Sequence, residues 1–219
     1  TKAIFLNSPS NPTGNVIPKA RMEQIVDVAR EHNLVIISDE IYHGLVYEGK
    51  EHSILEFTDQ AFVLNGFSKL FAMTGLRLGY LISPPEYIRA LQVLQQNFFI
   101  CANSVAQLAG AAALKDSEAE TRQMRERYNK RRIYMIDRLK KMGFDIKVEP
   151  TGAFYVFVNA RHISMDSYAL AFDILEKAHI GVTPGIDFGA NGEGFLRFSY
   201  ANSLDNLKIG MDRMEGYLK

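Results

Sequence analysis

The sequence predicts an α/β fold: part of a mainly parallel sheet covered by helices, followed by a small C-terminal α+β domain. Three observations predict it. Four short apolar runs, 3–7, 34–38, 61–65 and 78–83, are nearly continuous in Ile, Val, Leu, Phe and Tyr, as strands buried on both faces are. Between the first two lies a segment with helical periodicity. After about residue 117 the texture changes to short strands alternating with helices.

Each element has a local cause. In the segment 18–33, Met22, Ile25, Val26 and Ala29 sit at i, i+3, i+4 and i+7, one helical face, and Pro18 suits its first turn. After Pro84-Pro85, the residues Tyr87, Ile88, Leu91 and Leu94 carry a stripe, and 102–114 is rich in alanine. The segment 117–142 reads as one long helix with Met124, Tyr128, Met135, Leu139 and Met142 inward and Gly143 as its stop. Strands are predicted at 144–148, 153–159, 181–183 and 194–199, and helices at 166–178 and 203–218. The domain boundary is placed at 117/118.

Length and composition narrow the function. At about 150 residues per domain, the 219 residues make one and a half domains. Lys+Arg and Asp+Glu are 25 each, so no bulk charge draws the chain to nucleic acid or a membrane surface. One cysteine, Cys101, excludes an intrachain disulfide framework and is expected to be a small buried hydrophobe. No apolar run reaches about 18 residues. No charged segment followed by an apolar one opens the chain, and the expected location is cytoplasmic. The chain opens with Thr1 inside a predicted strand, from which an upstream segment is expected.

Polar groups follow the carboxyl ends of successive strands: Asn11-Pro12-Thr13-Gly14 after the first, Asp39-Glu40-Ile41-Tyr42 after the second, and Ser68-Lys69 after the third. The segment 73–80 then leads into the fourth. In parallel α/β sheets that edge is a ligand-binding rim. A lysine desolvated there is an amine nucleophile, whereas the same lysine without neighbours is an ordinary surface residue.

Four motifs give this arrangement a family. NSPSNPTG (7–14), SDEIY (38–42), NGFSKLFAMTGLRLGY (65–80) and GFLRFSYA (194–201) resemble the class I and II aminotransferases, fold-type-I enzymes that use pyridoxal 5'-phosphate. The separations also fit, with Lys69 lying 8 residues before Arg77 and 128 before Arg197. The resemblance spans the whole chain.

What the resemblance implies runs residue by residue. Lys69 forms the Schiff base with the cofactor and moves the substrate proton. Asp39 pairs with the pyridine nitrogen, keeping the ring an electron acceptor. Tyr42 and Asn11 bond the cofactor's phenolic oxygen, and Ile41 packs under the ring. Arg77, aided by Ser68, binds the phosphate with a forked, permanently charged group. Arg197 and Asn11 hold the substrate carboxylate. Many members have Ser where this chain has Gly66, and Trp where it has Leu76. Residues 1–117 would be the second half of the cofactor domain. The implied reaction is transamination between an α-amino acid and a 2-oxo acid in a homodimer, with no nucleic-acid or membrane partner. The family's phosphate loop and ring-stacking aromatic lie upstream of this region, so the 219 residues alone are expected to turn over poorly.

Two alternatives share the motifs. A β-lyase needs the same Lys69, Asp39 and Arg197, and releases pyruvate and ammonia without a keto acceptor. An aminotransferase-like sensor domain of a transcription regulator typically departs at the NPTG and DEIY motifs, which this chain keeps. Other features read as structural. The six basic residues in 122–132 are expected on a solvated helix face, 189–194 is a connecting loop, and the five histidines show no metal-ligand spacing.

Overall fold

The computed structural model describes residues 1–219, which divide into two units: Thr1–Pro9 with Val16–Met124, and Ser10–Asn15 with Arg125–Lys219. In the first unit β1 (Ala3–Asn7), β2 (Val35–Asp39), β3 (Ala61–Gly66) and β4 (Gly79–Ile82) form one sheet in that order. β1 and β2 are parallel, as are β2 and β3, with Asn7 opposite Asp39 and Asp39 opposite Leu64. This register lines up the carboxyl ends of the three strands.

β4 pairs antiparallel to β3, with Gly66 opposite Gly79. The linker 67–78 contains only a three-residue 3-10 helix, Thr74–Leu76. A parallel return needs a crossover long enough to traverse the sheet, usually a helix, so the chain turns back instead. Residues 73–78 therefore stay at the same edge as Lys69.

Helix α1 (Lys19–Glu31) covers one face of the sheet. Met22, Val26 and Ala29 pack with Leu6, Ile36, Ile54, Ala61 and Val63, as the periodicity predicts. The continuous apolar runs predict burial on both faces, and here the structure differs. Burial alternates along β1 and β2, and Phe5, on β1, is 62% exposed. α2 (Ile88–Phe98) and α3 (Ser104–Asp116) follow. Cys101 lies in the link between them and is exposed, contrary to the expectation of a buried residue. A short link whose neighbours Phe99 and Ile100 are also exposed has no core to offer it.

The second unit holds most of α4 (Glu118–Lys141), then β5 (Tyr155–Asn159), α5 (Ser167–Ala178), β6 (Thr183–Pro184), β7 (Phe195–Ser199) and α6 (Leu204–Tyr217). Its antiparallel sheet runs β5-β7-β6. Asp166 and Ser203 cap α5 and α6 through their side chains. Of the expected α4 stripe, Met135 and Leu139 are buried, joined by Ile136 and Arg132. Arg132 corrects the expectation of a wholly solvated basic face. It is 3% exposed and donates to Pro150 O at 2.7 Å and Asn129 Oδ1 at 2.9 Å. A buried guanidinium persists where acceptors meet it. The predicted strand 144–148 is reduced to a single bridge, Asp145 to Asn159, because most of the segment is exposed. No helix in the chain is long and apolar enough to cross a membrane.

Candidate active site

The eight predicted site residues fall into two sets. Asp39, Ile41, Tyr42, Ser68, Lys69 and Arg77 belong to the first unit, and Asn11 and Arg197 to the second.

In the first unit, Asp39 ends β2 and accepts from the Ile41 amide at 3.1 Å. The turn that follows carries Tyr42, which is buried. Lys69 leaves β3 three residues after its end, in a turn closed by the Ala72 amide on Lys69 O at 3.2 Å. Its Nζ lies 5.9 Å from the centre of the Tyr42 ring. Ser68 is half-buried beside it. Ile41 approaches Gly66, where a Cβ would stand 3.4 Å from Ile41 Cδ1 and 3.0 Å from both Gly79 Cα and Leu78 O. A larger side chain at 66 would crowd the β3–β4 pairing, which accounts locally for glycine there. Arg77 is exposed, sits at φ +51°, and donates to Thr74 O at 3.0 Å within its own turn.

Burial pushes the Asp39 carboxyl above its ordinary range, against the Ile41 amide and the Lys69 charge, which pull it down; the Glu40 charge adds to the rise. A carboxyl raised in the folded chain favours folding below its unfolded value, and that contribution is lost as pH rises through the folded value. Ionised Asp39 is thus a cost at neutral pH. Asp39→Asn keeps the acceptor oxygen and is expected to raise Tm by about 1–3 °C at pH 7.5 and not at pH 3, read by calorimetry. An equal change at both pH values would contradict this.

In the second unit, Arg197 occupies the central strand β7, opposite Phe157 on β5 and Thr183 on β6. Its Nη1 donates to Asn11 Oδ1 at 2.6 Å and its Nη2 to Thr183 Oγ1 at 3.0 Å. The guanidinium carbon lies 4.3 Å from the Tyr155 ring centre and 5.0 Å from that of Phe188. Each terminal nitrogen keeps a second N–H, the pair that suits a carboxylate. Asn11 is held by the loop 10–15, where the Gly14 amide donates to Ser10 O at 2.8 Å. Gly14 O accepts from the Thr151 and Gly152 amides at 3.0 and 2.8 Å. Gly14 has φ +71°, and a Cβ there would stand 2.3 Å from Pro150 Cβ, so only glycine fits.

Sequence reasoning did not single out Thr183, Tyr155 and Phe188 around Arg197, nor Glu40 behind Asp39. For Glu40 the signal was present. Two consecutive carboxylates ending a buried strand face opposite sides, so one must point inward. No group of three His, Cys, Asp or Glu is placed to hold a metal.

Chemically, the first unit offers an amine beside a partly desolvated carboxylate and a buried phenol. That donor set fits an aromatic base bearing an aldehyde: an amine for the aldehyde, a carboxylate for a ring N–H, a phenol for a ring oxygen. The second unit offers a fork for a carboxylate.

This fold with these motifs defines a class. The family described as aminotransferase class I and II matches residues 1–214, and the chain belongs to it. Its fold is that of the aspartate aminotransferase-like, fold-type-I structures. The chain is 44% identical over 222 residues to the (5-formylfuran-3-yl)methyl phosphate transaminase of Methanocaldococcus jannaschii, covering all of this chain and 58% of the relative. It is 40% identical over 225 residues to the aspartate aminotransferase of Pyrococcus abyssi, again all of this chain and 58% of the relative. The crystal structure of an aromatic aminotransferase from Pyrococcus horikoshii superposes with a TM-score of 0.96 at 39% identity, covering all of this chain and 60% of that one. The chain therefore spans a little over half the length of the relatives it matches.

Proposed function

We propose that the protein transfers an amino group between an α-amino acid and a 2-oxo acid, with pyridoxal 5'-phosphate carried on Lys69. The observation that carries this is the rim of the first unit: the Lys69 amine over the Tyr42 ring, its charge felt by Asp39 on the neighbouring strand. Family membership supports it.

When bound, the cofactor supplies an aldehyde carbon and an electron-accepting ring. The chain's own residues do the rest. Lys69 Nζ would hold the cofactor, and once free its amine would carry the proton between the substrate α-carbon and the cofactor carbon that bore the aldehyde. Asp39 would accept from the ring N–H and keep that proton in place. Tyr42 and Asn11 would bond the phenolic oxygen, and Ile41 would support the ring. Arg77 and Ser68 would take the phosphate. Arg197, with Asn11, orients the substrate through its carboxylate, which is common to every α-amino acid and silent about the side chain.

The matched relatives bear names with different substrates, a formylfuran phosphate, aspartate and aromatic amino acids, at similar identities. Overall similarity thus selects no side chain. We take residues 1–117 as part of the cofactor domain, 118–219 as the small domain, and the working assembly as a homodimer.

Borohydride reduction of the protein mixed with pyridoxal phosphate, followed by peptide mapping, tests the attachment. The label is expected on Lys69, and label confined to other lysines would overturn the reading. Pyruvate and ammonia formed from an amino acid without a keto acceptor would replace transamination by β-elimination.

A further inference from the structure

Glu40 is the only carboxylate among the buried polar residues, 2% exposed, and the proposed chemistry does not use it. Its Oε1 accepts from Ser38 Oγ at 3.0 Å, Ser53 Oγ at 3.1 Å and the Ile54 amide at 2.9 Å. Its Oε2 lies 3.4 Å from His43 Nδ1. Its own amide donates to Leu64 O at 2.8 Å, and its carbonyl accepts from the His43 amide at 2.9 Å. One residue thereby joins four segments: the end of β2, the turn bearing Tyr42, the 3-10 helix Ile54–Glu56, and the end of β3 from which Lys69 departs.

The far side of this knot is itself fixed. Glu56 Oε1 accepts from the Ser53 amide at 3.2 Å, and Glu56 Oε2 pairs with His52 Nδ1 at 2.8 Å. A carboxylate withdrawn from water persists only where donors converge on it, and such a fully satisfied group specifies one local geometry. Ile36, Ser38 and Glu40 are buried in alternation with Ile37 and Asp39, so Asp39 turns to the opposite face from Glu40.

We propose that Glu40 is a positioning residue: its buried carboxylate fastens the 39–43 turn to Ser38 and to the 3-10 helix, while its amide holds β3, and so sets Asp39 and Tyr42 against Lys69. This rests on the reading of Lys69 as the cofactor's attachment point. The groups that face or feel Glu40 are His43, Asp39 and Tyr80, beside the two serines.

Two readouts test it on wild type, Glu40→Ala, Glu40→Gln and Ser53→Ala. The first is amide hydrogen exchange without cofactor at 40–45 and 53–57. Glu40→Ala is expected to exchange about 10-fold faster there. The second is the midpoint of the pH-dependent absorbance after loading with pyridoxal phosphate, expected to move by about half a unit or more in Glu40→Ala. Glu40→Gln keeps an acceptor oxygen and should show less than half of either change; Ser53→Ala should move both in the same direction. Unchanged exchange, or faster exchange with an unmoved midpoint, would overturn the positioning role. So would equal effects of Ala and Gln, which would assign the effect to charge alone. Should Glu40→Ala not fold, Gln and Ser53→Ala decide by the same criteria. Failure of the wild type to take label at Lys69 would overturn the functional reading, while exchange still tests the fastening.

Discussion

Lys69→Ala is expected to abolish borohydride-stable labelling by pyridoxal phosphate and to slow the amino-acid half-reaction by about 10,000-fold, the upper range for a lost proton-transfer group. The half-reaction is the right measurement because it separates the proton transfer proposed for Lys69 Nζ from turnover and product release. The main-chain path of the turn should persist. Lys69 sits in a half-buried turn after β3, and the main-chain bonds of that turn, Ala72 N–H to Lys69 O and Met73 N–H to Phe67 O, do not involve its side chain. Methylamine, which can occupy the vacated space as a free amine, should restore part of the rate. A Lys69→Ala protein that retained more than a tenth of the wild-type rate would transfer the proton role to another group.

Arg197→Lys is expected to weaken amino-acid half-saturation roughly 10- to 100-fold, the equivalent of one charge-assisted hydrogen bond lost, with labelling at Lys69 preserved. Lysine keeps the charge and loses the fork. A single ammonium cannot at once meet Asn11 Oδ1, meet Thr183 Oγ1 and offer a planar pair to a carboxylate. It also gives up the stacking between Tyr155 and Phe188. Thr183→Val is the milder companion: it removes one bond that aims Arg197 and is expected to weaken half-saturation by several-fold. Parity of Arg197→Lys with wild type would show that the carboxylate is bound elsewhere.

Much of this was legible in order and spacing. The apolar runs located β1 to β4 to within a residue or two at most ends, although β4 is exposed along its length and β1 buries only Leu6. Direction was not legible in them. The antiparallel return of β4 follows from what 67–78 cannot do, which is form a crossover helix. Nor does helical periodicity report chemistry at depth. Arg132 has the spacing of the buried stripe and the composition of the exposed face, and only Pro150 O and Asn129 Oδ1 decide between them. The motifs put Lys69, Asp39 and Tyr42 at or just after strand ends, where the structure has them, because main-chain turns at strand ends are local. The partner set of Arg197 was illegible, since Asn11 and Arg197 are 186 residues apart and meet through folding alone. Glu40 stood in plain view inside a motif, but its value lies in four segments that no short window contains.

Cys101 has a practical consequence. It is the sole thiol of the chain and it is exposed, so maleimide chemistry yields a singly and uniformly derivatised protein without mutagenesis. A solvatochromic dye placed there sits beside Phe98, Phe99 and Ile100, the exposed end of α2, and its emission colour becomes a direct gauge of hydration at that end of the helix. Under air the same thiol can form a disulfide only with another molecule, so a reducing agent belongs in every measurement proposed above.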